Sequence, residues 1–449
     1  MMTRWSSTEI ARVLGTGPTM EREFTSFSTD TRAIAPGALF VALVGKRFDA
    51  HEFLDEAILK GAAGVVVRNG SEISGDVAVF AVDDTLAALG ALGHARRRAI
   101  AGPVVAVTGT NGKTATKELL RKALETRWTV HATHGNLNNL VGVPLTLLAA
   151  PEGTEALVVE AGASIPGEVS CLREIIDPTV GVVTNVSMGH LEGFGSEQGV
   201  LAEKVSLLDG IPTAVVGTHP PELASRAQEL ATRVVVAGAA ETADVHPDCW
   251  ALDDHGRARI VCGDITATLP LVGQHQVDNA MVAYGVALEL GLDPEAVWSG
   301  FESVTLPGGR CEVLRAGNLV VLHDAYNANP TSIVASLKTA QAMRGPRPLV
   351  VVLGTMLELG DRGPELHRAV ADAVMEVEPS LVAVTGDFVP AFAAHAHVLG
   401  ERLLTADDPT SLGERLTAHL EGGEFVMLKA SRGVQLERVL PYLMTAGDA

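Results

Sequence analysis

The chain has only four cysteines in 449 residues, Cys171, Cys249, Cys262 and Cys311, and no two stand in CxxC spacing. That scatter excludes a disulfide framework and a structural zinc site, and the four thiols read as buried apolar fillers. Long hydrophobic runs are missing as well. Although 47% of the residues are hydrophobic, Gly, Pro and charge interrupt them everywhere, and no stretch reaches the roughly twenty apolar residues of a membrane span. The opening segment MMTRWSSTEIARVLG lacks the apolar core of a secretory signal; Ser6 and Glu9 are spaced instead as the capping box of an amphipathic helix. A cytoplasmic location is expected. Positive charge is scarce too. Lys and Arg number 34 against 54 Asp and Glu, and the net charge of −20 disfavours nucleic acid and anionic membranes as partners. A small anionic ligand in a local basic pocket stays compatible with it.

The most informative stretch present is VTGTNGKT at 107–114, directly after the apolar Val104–Ala106. A strand that ends in a glycine-rich turn with lysine and threonine aims backbone N–H groups and an ammonium at a phosphate chain, and a hydroxyl at Mg²⁺. Gly109 and Gly112 permit the turn around Thr110 and Asn111. Lys113 is then placed for the β/γ-phosphates of a nucleoside triphosphate, Thr114 for the metal, and Ala115–Leu124 for the helix that follows. Val107 occupies the position of the first glycine in GxxxxGK[ST], so this is a shortened phosphate loop, which weakens the reading as a generic motor or switch NTPase. The competing reading is an ordinary strand-turn-helix corner without a ligand.

The length calls for several cores. Residues 1–98 alternate the runs Ala38–Leu43, Gly64–Val67 and Val77–Val82 with a helical pattern at Glu52–Leu59, giving a small N-terminal α/β unit closed by a helix over Asp84–Ile100. The basic tail of that helix, HARRRAI, reads as a solvated helix end. Residues 99–310 place strands at Val104–Thr108, Leu157–Glu160, Val180–Asn185 and Thr213–Val216 between helices, the pattern of a mostly parallel sheet covered on both faces. The alternating runs Ala258–Cys262 and Thr266–Leu271 read as an antiparallel edge on that sheet, followed by a helix at Gln276–Leu290. After Leu306–Arg310, residues 311–449 read as a Rossmann-like α/β unit. Its parallel strands are expected at Leu319–His323, Leu349–Leu353, Leu381–Thr385 and Glu424–Leu428, and its helices at Ser332–Met343, Pro364–Glu376 and Leu412–Leu420.

Several side chains suit phosphate and metal chemistry. Glu160 ends a strand, where parallel sheets place their ligands, and is either a Mg²⁺ ligand beside Thr114 or a solvent-exposed acid. The next strand leads to His190 in TNVSMGH, a metal ligand or a packed histidine. On spacing alone Lys204 is a surface lysine, with Ala202, Val205 and Leu208 as the apolar face of its helix. The loop GNLNNLVGVP at 135–144 either satisfies its own turns or uses Asn136, Asn138 and Asn139 on a polar substrate. In HDAYNANP at 323–330, Tyr326 offers a stacking face and Asn327 an amide to a nucleoside, the alternative being a plain strand-to-helix turn.

Taken together, these segments resemble the ATP-dependent Mur ligase family of peptidoglycan synthesis. The resemblance runs through nearly the whole chain: STDTR (28–32), PGALFVAL (36–43), FDAHEF (48–53), TGTNGKT, GNLNNLVGVPLTLL, EAGASIPGE (160–168), TNVSMGHLEGFGS (184–196), DNAMVAY (278–284), HDAYNANPTS, GTMLELG (354–360) and KASRG (429–433). It implies three domains and a monomeric ligase using ATP and two Mg²⁺ ions. The YNANP and GNLNN strings point to the branch that joins D-alanyl-D-alanine to UDP-N-acetylmuramoyl-tripeptide through an acyl phosphate. By the same resemblance Lys113, His190 and Lys204 are catalytic, Thr114, Glu160 and His190 hold metal, and Lys204 is carbamylated to become a metal ligand. Asn279, Arg310, Asp324, Tyr326 and Asn327 join Gly109–Thr114 on the nucleotide. Asp30, Thr31, Arg32, Gly45, Asp49 and His51 shape the uridine-diphosphate end. Thr133, Asn136, Asn138, Asn139 and Glu168 shape the muramoyl-peptide region, and Lys429, Ser431 and Arg432 the dipeptide end. Ala50, Thr355 and Ala430 depart from the family's usual DGH, GDM and KGSR. Two alternatives stay open: another Mur-type or folylpolyglutamate-type amide ligase, or a nucleotide-binding scaffold without turnover.

Overall fold

The Val- and Leu-rich runs form strands buried on both faces, as a parallel sheet covered by helices requires. In the computed structural model, which describes residues 4–17, 19–45 and 48–447, four parallel sheet strands of the N-terminal unit lie in the order Ser26–Ser28, Ala38–Val41, Gly64–Arg68, Ala78–Val82. The expected capping box is present: the Ser6 side chain accepts from Glu9 N, and Glu9 reaches back to Ser6 N.

The central sheet has six parallel strands in the order Arg233–Val236, Thr213–Val216, Val180–Val183, Val104–Thr108, Ala156–Glu160, Val130–Ala132. The chain leaves Val104–Thr108 for one edge, returns to its neighbour, and then crosses to the other side. This reversal opens a crevice at the carboxyl ends of the three middle strands, where doubly wound sheets bind ligands. Val104, Val105 and Val107 are fully buried, and each such side chain contributes about 1.5–3 kcal/mol, so the strand carrying the phosphate loop is anchored by its own core.

The runs near 260 do not form an edge of this sheet. Cys249–Leu252, Arg257–Cys262 and Ile265–Val272 make a separate three-stranded antiparallel sheet. Its apolar face, with Ala258, Ile260, Ala267, Leu269 and Leu271, packs into the core shared with helices Lys113–Glu125, His275–Glu289 and Pro294–Phe301. Hydrophobic burial, not strand pairing, attaches it. The C-terminal sheet has the four expected parallel strands, observed at Leu319–His323, Leu349–Leu353, Leu381–Thr385 and Phe425–Lys429, plus a parallel edge at Leu403–Ala406 and an antiparallel edge at Glu312–Ala316. The cysteines are not uniformly buried: Cys171 and Cys249 are exposed, Cys262 is half-buried, and only Cys311 is enclosed. Cys171 lies on helix Glu168–Ile176, which turns Val169, Leu172 and Ile176 inward.

The basic helix end is not solvated either. Arg96 and Arg97 are 6% and 7% exposed. Arg96 Nη2 donates to Ala150 O and Pro151 O at 3.0 and 2.9 Å, just past helix Gly142–Leu148. Arg97 donates to Ile176 O and Asp177 O at 2.6–2.8 Å, at the end of helix Glu168–Ile176, and Arg98 pairs with Asp177 at 2.7 Å. Helix C-termini expose orphan carbonyls and negative potential, so two guanidinium forks satisfy both at once. They bind the last helix of the N-terminal unit, Thr85–Arg98, to the central unit. Arg97→Ala should therefore lower the stability of this junction by about 2–3 kcal/mol, with Arg97→Lys recovering only part because one ammonium cannot replace three guanidinium nitrogens that together reach Ile176 O, Asp177 O and Ile100 O. Urea unfolding followed by fluorescence checks this, and an unchanged first transition would contradict it.

Candidate functional site

A cleft of about 710 Å³ opens at the carboxyl edge of the central sheet, between it and the C-terminal unit. Its floor is the turn between strand Val104–Thr108 and helix Lys113–Glu125. Gly109 adopts φ +140°, and a Cβ there would stand 2.1 Å from Thr184 Oγ1. Gly112 adopts φ +80°, and its Cβ would stand 2.2 Å from Asn279 Oδ1. No side chain caps the helix, so its first-turn N–H groups and the positive end of its dipole stay available where Gly112–Ala115 line the cleft. Lys113 Nζ folds back onto Gly109 O and Thr110 O at 2.9 and 3.0 Å. Asn185, which the sequence reading passed over, braces the loop by accepting from Asn111 N and donating to Asn111 O.

Glu160 is 3% exposed, which removes the solvent-exposed reading. Thr114 Oγ1 donates to its Oε2 at 3.1 Å and Asn138 Nδ2 to its Oε1 at 2.9 Å. The asparagine loop thus divides its labour. Asn138 holds Glu160, and Asn139 Oδ1 accepts from Val141 N and Gly142 N to start the next helix. Thr133 is only 2% exposed and lies behind Glu160, not among the cleft's lining residues. Glu168 accepts from Ser164 N and Ile165 N and shapes the same wall.

Lys204 is buried, 1% exposed, contrary to the reading from helical spacing. Its ammonium has one long contact, to Ala163 O at 3.5 Å, and lies 5.5 Å from the centre of the Phe194 ring. Burial, with Lys113 adding repulsion, draws its pKa down to about 7. The same Phe194 ring packs edge-on against His190, which lines the cleft, whereas Lys204 lies behind that ring and is not among the lining residues. His190 Nδ1 lies 2.5 Å from Glu358 Oε2 of the C-terminal unit, and this close contact holds the Glu358 carboxyl below its ordinary pKa.

Across the cleft, Arg310 stacks on Tyr326 with its guanidinium carbon 3.5 Å from the ring centre. Lys429 is 3% exposed and committed to an ion pair with Asp324, whose other contacts include Ser336 Oγ at 2.5 Å. Ser431 Oγ accepts from Leu357 N, and Arg432 pairs with Glu437 at 2.9 Å. Asn327 Oδ1 accepts from Ala328 N. Asn329 was missed by the sequence reading, although its place before Pro330 marks it as a helix cap. It caps Pro330–Met343 and also donates to Asn111 Oδ1 at 2.8 Å, joining the C-terminal unit to the phosphate loop.

Asp30, Thr31, Arg32, Gly45, Asp49 and His51 sit apart from the cleft, on the N-terminal unit. There Arg32 is hydrogen-bonded to Asp30 and holds its carboxyl at about 2. His51 Nε2 accepts from Arg68 N, so Nδ1 carries the proton that faces Asp49 at 2.5 Å, and Arg68 Nη2 reaches the same carboxylate at 2.7 Å.

Residues 107–287 match the Mur ligase middle domain and residues 309–432 the Mur ligase glutamate ligase domain. The UDP-N-acetylmuramoyl-tripeptide–D-alanyl-D-alanine ligase of Bacillus subtilis is 33% identical over 433 residues, spanning 93% of this chain and 92% of its own. A crystal structure of MurF from Acinetobacter baumannii superposes with a TM-score of 0.90 at 28% identity, covering 99% of both chains. MurF from Thermotoga maritima in complex with ADP superposes with 0.82 at 28% identity, over 94% of this chain and 97% of its own. With its phosphate loop, buried strand-end glutamate and interdomain cleft in this arrangement, the chain belongs to the Mur ligase family.

Proposed function

We propose that the chain is an ATP-dependent ligase that joins D-alanyl-D-alanine to UDP-N-acetylmuramoyl-tripeptide, by way of an acyl phosphate, in cytoplasmic peptidoglycan precursor synthesis. The observation that carries this reading is the meeting of Lys113, Thr114 and Glu160 with His190 and the Arg310–Tyr326 stack in one cleft. It is supported by the similarity to the B. subtilis ligase across nearly the full length. The three units, 1–98, 99–310 and 311–449, are read as binding the UDP end, the triphosphate and the incoming dipeptide in turn.

The donor set suits Mg²⁺. Thr114 and Glu160 offer hard oxygen, the donor type that Mg²⁺ takes and shares with substrate phosphates. Thr114 and Glu160 would hold Mg²⁺, which when bound would supply positive charge against the phosphate chain and the approaching carboxylate. Lys113 and the open helix N-terminus stabilise the γ-phosphate from the protein side. Closure of the C-terminal unit aligns the amine with the activated carboxyl and keeps water from it. Lys204 is built for carbamylation. A buried, weakly held amine whose pKa is drawn down to about 7 has a neutral form accessible near neutral pH; that form would attack CO₂ and release one proton as the N–C bond forms, and the resulting carboxylate would be a metal ligand.

Purified protein with ATP, Mg²⁺, the UDP-tripeptide and D-alanyl-D-alanine should release phosphate and form the UDP-pentapeptide only when both acceptor substrates are present. Phosphate release that ignores them would defeat the ligase reading. Lys113→Ala should lower kcat by about 10²–10³-fold with the fold intact by circular dichroism. Lys204→Ala should lose turnover and regain part of it with a short carboxylic acid, which returns the missing oxygens. The pKa of Lys204 is depressed, so the reactive neutral amine is lost as pH falls through about 7. Wild-type activity should accordingly depend more steeply on added bicarbonate at about pH 6 than at about pH 8, and equal dependence at both would contradict the carbamate.

A further inference from the structure

Lys117 stands one helical turn after Lys113, and its charge is unexplained by the site above. Its side chain is 2% exposed, and a helix that needed only packing there would carry leucine or methionine. The ammonium donates to Thr133 O at 2.8 Å and pairs with Glu118 Oε1 at 2.6 Å, and Glu118 is in turn held by Arg121 at 2.9 Å. Thr133 follows the short edge strand Val130–Ala132. Its N–H continues the ladder by donating to Val158 O at 3.0 Å. Beyond that point the backbone turns away, and the Thr133 hydroxyl replaces the missing strand by accepting from Glu160 N at 2.9 Å. On the opposite side Ala161 N donates to Val107 O at 2.8 Å, so the backbone around Glu160 is pinned from both flanking strands.

We infer that Lys117 and Thr133 are positioning residues for the Glu160 carboxylate, setting its place as a ligand for the divalent cation. The inference rests on the reading that Glu160 holds that cation. The chain of contact runs from ammonium to Thr133 carbonyl, through Thr133 hydroxyl to the Glu160 amide, and its carboxylate then meets Thr114 and Asn138. Partners one shell removed from a metal hold the ligand's orientation, and their loss weakens metal affinity by roughly 10–100-fold.

The full-length protein with ADP is titrated with Mn²⁺, an oxygen-seeking stand-in for Mg²⁺, and free Mn²⁺ is read by electron paramagnetic resonance. Thr133→Val, which keeps the shape and removes the acceptor, and Lys117→Met should both weaken Mn²⁺ binding by about 10–100-fold. Thr133→Ser should bind Mn²⁺ as wild type does, and metal-free ADP affinity should stay unchanged in all three. Lys117→Met alone is exposed to misfolding, and the Thr133→Val and Thr133→Ser pair carries the test without it. Wild-type Mn²⁺ binding by Thr133→Val while Glu160→Gln loses the ion would overturn the positioning role and leave the metal reading standing. Wild-type binding by Glu160→Gln would overturn the metal reading and this inference with it.

Discussion

The site depends on holding a carboxylate and an ammonium close together at the mouth of a parallel sheet, out of bulk water, without letting them neutralise each other. Glu160 is anchored by Thr114 and Asn138, and Lys113 by the carbonyls of its own loop. Neither is free to collapse onto the other, so both remain available to an arriving triphosphate. The anchorage comes from the sheet. Strands Val104–Thr108 and Ala156–Glu160 are adjacent and buried, and their carboxyl ends deliver the loop and the acid side by side.

The second constraint is that the cleft is completed from outside the central unit. Asn329 reaches Asn111, Glu358 reaches His190, and the Arg310–Tyr326 stack faces the loop from across the cleft. His190 and Glu358 both hold positive φ, 55° and 64°, a conformation that costs non-glycine residues energy and persists where surrounding contacts over-determine it. The N-terminal unit behaves differently. The buried Arg96 and Arg97 side chains fasten its last helix to two helix ends of the central unit.

Much of this was legible in the sequence because it is local. Runs of Val and Leu mark buried strands, Gly-Lys-Thr after a strand marks a phosphate loop, and Glu160 announces itself by ending such a run. What stayed hidden depends on a second body. The spacing of Ala202, Val205 and Leu208 describes one apolar face, but Lys204 is enclosed from the other side by Phe194 and the loop at Ala163. Arginines 96 and 97 look solvated until two distant helix ends arrive. Strands of three or four residues, such as Val130–Ala132, Arg233–Val236 and Leu403–Ala406, are too short to show a period. Thr133 was named only through the family resemblance, because nothing local marks a hydroxyl that substitutes for a missing strand.

The most direct measurement is a crystal structure of the full chain with a non-hydrolysable ATP analogue and Mn²⁺, the metal located by its anomalous signal. Phosphates against Lys113 and the helix N-terminus, with a manganese peak bound by Thr114 and Glu160, are the expected result. A triphosphate seated away from Lys113, or manganese that avoids Glu160, would contradict the site.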